Sequence, residues 1–206
     1  MSDPPLVYLL DDEPGVLKAL TRLLGAQGFR VQSYGSAREL FAALQPDEPA
    51  CLVLDLAMPE MDGLEVQERL VSGGHSVGVV FLSAHGDLPQ GVRAIKAGAE
   101  DFLTKPVDAA ELVPAIRAAL ARSADRHRQR AESADGGERL TRLTPREREV
   151  LGHVIAGRTN KQIAARLGTG EQTIKVHRGR VMEKLGVASL AELVRLAQRL
   201  GVAPAD

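Results

Sequence analysis

The sequence predicts a doubly wound α/β domain, built on a five-stranded parallel sheet, followed by a small all-α domain. Three observations carry this. Short apolar runs recur five times in the first 120 residues, with segments of helical length and period between them. The runs seldom alternate polar with apolar residues, so each reads as a strand covered by helices on both faces. After residue 140 the apolar spacing is helical throughout.

The strands are expected at Leu6 to Leu10, more weakly at Arg30 to Tyr34, then at Cys51 to Leu54, Gly78 to Leu82 and Asp101 to Leu103. Val16, Leu17, Leu20, Leu23 and Leu24 give the first intervening helix its apolar face. Asp108 and Glu111 read as the N-cap and capping-box residue of the last helix of this half, and Pro114, one turn further in, is expected to kink it. Residues 122–139 change character: Arg122, Arg126, Arg128 and Arg130, then Glu132, Ser133, Asp135, Gly136 and Gly137, with almost no large apolar side chain. They are expected to form a solvated helix extension and then a flexible joint near Gly136-Gly137. Four helices follow. Thr144-Pro145-Arg146-Glu147 starts one that runs to about Ala156, with Val150, Leu151, Val154 and Ile155 apolar. Asn160 to Leu167 is short, Gly168-Thr169-Gly170 turns the chain, Glu171 to Leu185 is longer, and Ser189-Leu190-Ala191-Glu192 caps the last, with Leu193, Leu196, Ala197 and Leu200 as its stripe.

The composition, 44% hydrophobic and 26% charged over 206 residues, is that of a folded globular protein. A single cysteine excludes an internal disulfide framework, and five scattered histidines argue against structural zinc. Cys51 is expected to pack only, and His75 and His127 to be exposed and inert. No stretch reaches the roughly 18 apolar residues of a membrane span, and the start lacks the basic flank and apolar run of a signal peptide, so the expected location is cytoplasmic. The net charge of −1 conceals two opposed halves. Residues 1–120 hold 17 acidic against 9 basic side chains, net −8, and residues 121–206 hold 10 against 17, net +7. An acidic module beside one that meets a polyanion is the natural reading.

In a doubly wound sheet, ligands gather where strands end at their carboxyl edge. Those ends carry Asp11-Asp12-Glu13, Asp55, Ser83 and Thr104-Lys105-Pro106. Converging carboxylates repel one another unless a cation sits among them, and hard oxygen ligands suit Mg²⁺. The expected site is a nucleophile, Asp55, with a divalent ion held by Asp11, Asp12 and Asp55, and with Lys105 and Ser83 taking the charge of a transferring phosphoryl group. A merely solvated acidic face is the alternative for Asp11-Asp12-Glu13 alone. A haloacid-dehalogenase-like phosphatase would need Asp-x-Asp, and this chain has Asp55-Leu56-Ala57.

The runs Leu9 to Pro14, Val53 to Pro59 with Met61-Asp62-Gly63, Ser83 to Asp87, and Lys96 to Pro106 resemble the receiver domain of bacterial response regulators, a flavodoxin-like fold. The resemblance implies that Asp55 accepts a phosphoryl group from a phosphohistidine on a sensor histidine kinase, with the Ala57 backbone carbonyl as a further Mg²⁺ ligand. It implies a switch in which Ser83 moves toward the acyl phosphate and Phe102 turns inward. The face of the fourth helix, fifth strand and fifth helix then becomes a dimerisation surface. His85, near the site, would tune phosphoryl lifetime.

In the second half, a short helix, a glycine turn and a longer helix make a helix-turn-helix, whose later helix enters the major groove. At about 100° per residue, Ile174, Val181 and Leu185 define the core side of that helix. Gln172, Lys175, Val176, Gly179 and Arg180 point away, a stripe suited to base edges, a thymine methyl and close backbone approach. Arg178 and Lys184 flank it for phosphates, while Thr159, Asn160 and Lys161 are placed to touch the DNA backbone. His177, toward the core edge, is expected to be structural. Residues 140–203 resemble the LuxR/NarL-type helix-turn-helix, which implies DNA-bound dimers joined through the fourth helix.

Both halves together resemble the FixJ-like response regulators. The expected domains are a receiver at 1–121, a linker at 122–139 and a LuxR-type DNA-binding domain at 140–206. The expected activity is phosphorylation-controlled regulation of transcription with promoter DNA, a sensor kinase, RNA polymerase and a second copy as partners. No enzyme activity is expected beyond slow self-dephosphorylation. A receiver acting only as a protein-interaction module, without phosphorylation, is the other class considered.

Overall fold

The computed structural model describes residues 3–45, 48–84 and 88–205. The first unit, extending to Arg128, alternates strands and helices. Its strands are β1 (Leu6–Leu10), β2 (Arg30–Tyr34), β3 (Ala50–Asp55), β4 (Gly78–Ser83) and β5 (Asp101–Thr104). They are all parallel in the order β2-β1-β3-β4-β5. Every residue of β1, β3 and β4 is buried, as the unbroken apolar runs require, while the two edge strands are partly exposed. The helices of this unit are α1 (Pro14–Ala26), α2 (Ala37–Ala43), α3 (Gly63–Ser72), α4 (Leu88–Lys96) and the start of α5 (Ala109–Thr141).

Because side chains alternate along a strand, each central strand feeds two cores. Leu6, Tyr8, Leu10, Leu52, Leu54, Val79 and Phe81 pack with α2, α3 and α4. Val7, Leu9, Cys51, Val53, Val80 and Leu82 pack with α1 and α5 through Leu20, Leu24, Leu112 and Ile116. Cys51 is buried, and burial holds its thiol far above the ordinary value, so it packs as a small apolar group.

Register sets the functional edge. Leu10 lies opposite Leu54, so the next residues, Asp11 and Asp55, emerge side by side. Ser83 lies opposite Thr104, so Lys105 follows at the same edge. Gly63, at the start of α3, permits the close approach this edge needs, since a Cβ there would lie 2.6 Å from the Asp55 carbonyl oxygen. Asp62 and Glu65 cap that helix reciprocally.

The second unit, from Gln129 on, is helical: the end of α5, then α6 (Pro145–Ile155), α7 (Asn160–Leu167), α8 (Glu171–Leu185) and α9 (Leu190–Arg199). Its core is formed by Leu143, Val150, Leu151, Val154, Ile163, Ile174, Val181, Leu185 and Leu193. Thr144 and Glu147 cap α6 reciprocally, and Gly168 ends α7 at φ +61°. Ser189 caps α9, but the Glu192 carboxylate accepts from the N–H of Ala188, not from that of the cap residue.

The flexible joint expected near Gly136-Gly137 is not there: α5 is helical to Thr141, and it continues through Pro114. Glycine costs a helix about 1 kcal/mol against alanine, and packing explains its presence. Gly136 is buried, and a Cβ there would lie 3.0 Å from a Leu200 methyl and 3.1 Å from one of Leu196. Arg139 donates to the Leu185 carbonyl at 3.0 Å, and Arg199 pairs with Glu132 at 2.8 Å. The end of the supposed linker is therefore part of the helical unit. Its beginning belongs to the sheet unit, since the fully buried Ser123 hydroxyl accepts from Ala50 N–H at 3.1 Å and donates to the Ser76 carbonyl at 2.6 Å.

Candidate functional site

At the carboxyl edge, Asp11 and Asp55 are 2% and 5% exposed, and Lys105 lies between them, its ammonium 2.6 Å from Asp11 Oδ2 and 2.6 Å from Asp55 Oδ1. Backbone donors complete the carboxylates: Glu13 N–H to Asp11 Oδ1 at 2.9 Å and Ala57 N–H to Asp55 Oδ2 at 3.0 Å. Lys105 is fixed from below by its own N–H, which donates to the Ser83 carbonyl at 2.8 Å. Ser83 is buried beside it. Burial pushes the Asp55 carboxyl up against the hydrogen bond and charge of Lys105, and the Asp11 charge adds to that rise. Burial alone would lower the Lys105 ammonium, but its hydrogen bonds to Asp11 and Asp55 outweigh this and raise it.

Two buried carboxylates thus share one ammonium. This donor set fits Mg²⁺, which uses one or two carboxylates and keeps several waters. Asp12, the next residue along the chain, is exposed. Among the described residues no group of three or more His, Cys, Asp or Glu side chains is already gathered closely enough to hold a metal. Ala57, at the loop after β3, is exposed.

Phe102 on β5 is half-buried, its ring 6.3 Å from that of Phe81, and it lies over Gly91, whose Cβ position is 3.3 Å away. Beside it Leu88, Val92 and Ile95 of α4 are exposed, a cluster of apolar side chains on one face. His85 lies outside the described residues. His75 and His127 are half-buried, not exposed as expected.

In the helical unit, Ile174, Val181 and Leu185 are buried, as the angular argument required. Gln172, Lys175, Val176, Gly179 and Arg180 are exposed on α8, and Lys161 is exposed on α7. Four other residues, Thr159, Asn160, Arg178 and Lys184, have partners within the chain. The Thr159 hydroxyl caps α7 by accepting from Gln162 N–H at 3.4 Å. The Arg178 guanidinium donates to Asn160 Oδ1 at 2.6 Å. Lys184, expected to meet phosphate, lies 2.6 Å from the buried carboxylate of Glu147. Face angle alone does not reveal such pairs, because a lysine reaches well beyond its own face. His177 is half-buried, and its Nδ1 has no hydrogen-bond partner among the described residues.

Two groups make this unit acid-sensitive. The hydrogen bond from Lys184 holds the Glu147 carboxyl below its ordinary 4.5, so the stability it contributes is complete above that value and is lost as pH falls through the lower folded value. Burial, with the charges of Arg158 and Arg166, holds His153 below its ordinary 6.5. Its Nδ1 accepts from Arg158, which requires the neutral ring. The unfolded chain therefore takes up the proton first, and stability falls as pH drops below 6.5. The melting temperature of this unit should decline in two steps on acidification, and His153→Gln should flatten the upper step only. An unchanged upper step in the variant would rule out His153 as its source.

Residues 7–117 match the response regulator receiver domain, and residues 141–197 match the bacterial regulatory proteins of the LuxR family. The chain is 42% identical over 200 residues to the transcriptional regulatory protein FixJ of Azorhizobium caulinodans, covering 97% of this chain and 95% of that one. It is also 42% identical over 201 residues to the response regulator protein TodT of Pseudomonas putida, covering 97% and 88%. Among solved structures it is similar to the response regulator StyR, at 42% identity and a TM-score of 0.80, with 95% of this chain and 99% of that one covered.

Proposed function

We propose, for a chain that belongs to the response regulators and joins a receiver domain to a LuxR-family DNA-binding domain, that phosphorylation of Asp55 controls its binding to promoter DNA. The observation that carries this is the position of Lys105, hydrogen-bonded to both buried carboxylates at the strand edge. In the donor, a phosphohistidine of a sensor kinase, phosphorus is bonded to nitrogen. An Asp55 oxygen attacks that phosphorus, the P–N bond breaks, and the imidazole leaves with its electron pair. Lys105 keeps its protons and follows the growing charge on the phosphoryl oxygens as an ammonium, and Ser83 can donate to the same group. Asp11, Asp12 and Asp55, with the Ala57 carbonyl, would hold Mg²⁺, which supplies charge neutralisation when bound.

The switch follows from the same contact. Phosphorylation removes the carboxylate that Lys105 now shares and places a dianion at the edge of β4 and β5. Ser83 and Phe102 lie on those strands, and the exposed face of Leu88, Val92 and Ile95 is next to Phe102. We assign that face to phosphorylation-dependent dimerisation, and α9 to the contact between DNA-bound copies. Residues 1–121 act as the regulatory part and 140–206 as the DNA reader. Gln172, Lys175, Val176 and Gly179 read bases, with Arg178, Arg180, Lys161, Asn160 and Thr159 at the backbone. Function in the cytoplasm with RNA polymerase, and slow loss of the phosphoryl group by hydrolysis, belong to the same reading.

Incubation with Mg²⁺ and a small phosphodonor should add one phosphoryl group to the intact mass. It should also increase retention of a specific set of genomic fragments. Phosphoryl uptake with unchanged DNA retention would separate the two halves and refute the switch.

A further inference from the structure

We infer that Asn160 is a positioning residue for DNA binding, acting by holding the Arg178 guanidinium in place; this rests on the DNA-binding reading of α8. Asn160 opens α7 and Arg178 lies in the middle of α8, across the turn that Gly168 begins. Their side chains meet at 2.6 Å, both half-buried. Arginine has only donors, so the amide atom facing it must be the oxygen. One nitrogen of the fork is thereby anchored, and the other donors of the guanidinium are left for an outside acceptor.

The other cations of α8 make the contrast. Lys184 is held by Glu147, whose carboxylate has the opposite charge, so that ammonium is largely neutralised. Lys175 and Arg180 are exposed. Arg178 alone is held by a neutral partner, which orients it and leaves its charge intact. A long side chain loses rotamer freedom when it docks on a phosphate or a base edge, and an anchor that has already fixed it removes that cost from binding. An anionic partner would have the same geometric effect but cancel the charge that a polyanion needs. Asn160 is thus the residue type that suits the role.

The test uses the full chain, phosphorylated, with a duplex recovered from genomic fragments. Arg178→Ala should weaken binding about tenfold at moderate salt and reduce the slope of log affinity against log salt by about 0.9, the loss of one phosphate contact. Asn160→Ala should reproduce most of both changes with the melting temperature of the helical unit unmoved. The double variant should equal Arg178→Ala alone. Asn160→Asp should also bind more weakly than the wild-type chain, because it pairs with Arg178 and cancels its charge. Additive losses in the double variant, or an unchanged salt slope in Asn160→Ala, would overturn the inference while leaving DNA binding intact. If the wild-type chain retains no duplex, the DNA-binding reading falls and the inference with it.

Discussion

Asp55→Asn should abolish covalent phosphoryl uptake completely while leaving the receiver folded. The chemistry decides the first part: an amide oxygen is a poor nucleophile toward phosphorus and forms no stable acyl phosphate. The second follows from counting partners. Asp55 now accepts from Lys105 at 2.6 Å and from Ala57 N–H at 3.0 Å. Asparagine has one acceptor oxygen, so in either orientation one of the two donors faces an NH₂ group, a loss of about 1 kcal/mol, and up to 3 kcal/mol if that donor stays buried and unpaired. Against this, the substitution removes one of two buried carboxylates that share one ammonium, the arrangement in which burial already pushes the Asp55 carboxyl up. The two effects are of similar size and opposite sign. The melting temperature should change by a few degrees at most, and the intact mass should show no phosphoryl gain under conditions where the wild-type chain is fully modified. A gain of the same size in the variant would place the acceptor elsewhere.

The same region shows what the sequence made legible and what it did not. Strand-end positions need only the hydrophobic runs and the rule that chemistry gathers at one edge, so Asp11, Asp55, Ser83 and Lys105 were all legible. The register, with Leu10 opposite Leu54, then brings Asp11 beside Asp55. The exposure of Asp12 was not legible, because strand alternation ends where the loop begins. The basic helix repeats the lesson. Its period placed Ile174, Val181 and Leu185 in the core, but not the partners of Arg178 and Lys184, which lie 18 and 37 residues away in sequence. A signal for one of them existed. Glu147 already caps α6, and a capping carboxylate that is also buried has a second lone pair to satisfy. The helix through residues 122–139 reads from sequence as solvated because large apolar side chains are missing there. Small residues do the packing instead, Ser123 against the sheet and Gly136 against α9, and composition does not register them.

The largest effect on the DNA-binding half should come from Val181→Asp. Val181 is 1% exposed and packs in a core with residues from α6, α7 and α9. Placing a carboxyl there forces one of two costs, either burying an unpaired charge or protonating the acid far from its ordinary range, and either is several kcal/mol. Small domains are stable by about 5–15 kcal/mol in total, so a loss of this size removes most or all of it. Leu140, near the end of α5, packs on the same core, so the last turns of that helix should melt as well. The buried residues of the sheet unit form separate clusters, so it should keep its own transition and its phosphoryl uptake. Arg180→Asp, one residue away and exposed, makes the decisive comparison. It puts a carboxylate on the same helix, where it should abolish DNA retention through charge with the melting temperature nearly unchanged. Calorimetry should therefore show one transition lost in Val181→Asp and both kept in Arg180→Asp, although neither variant binds DNA. If Val181→Asp keeps both, α8 does not present its 174-181-185 face to the core, and the outward stripe assigned to base reading would have to be placed on another face of the helix.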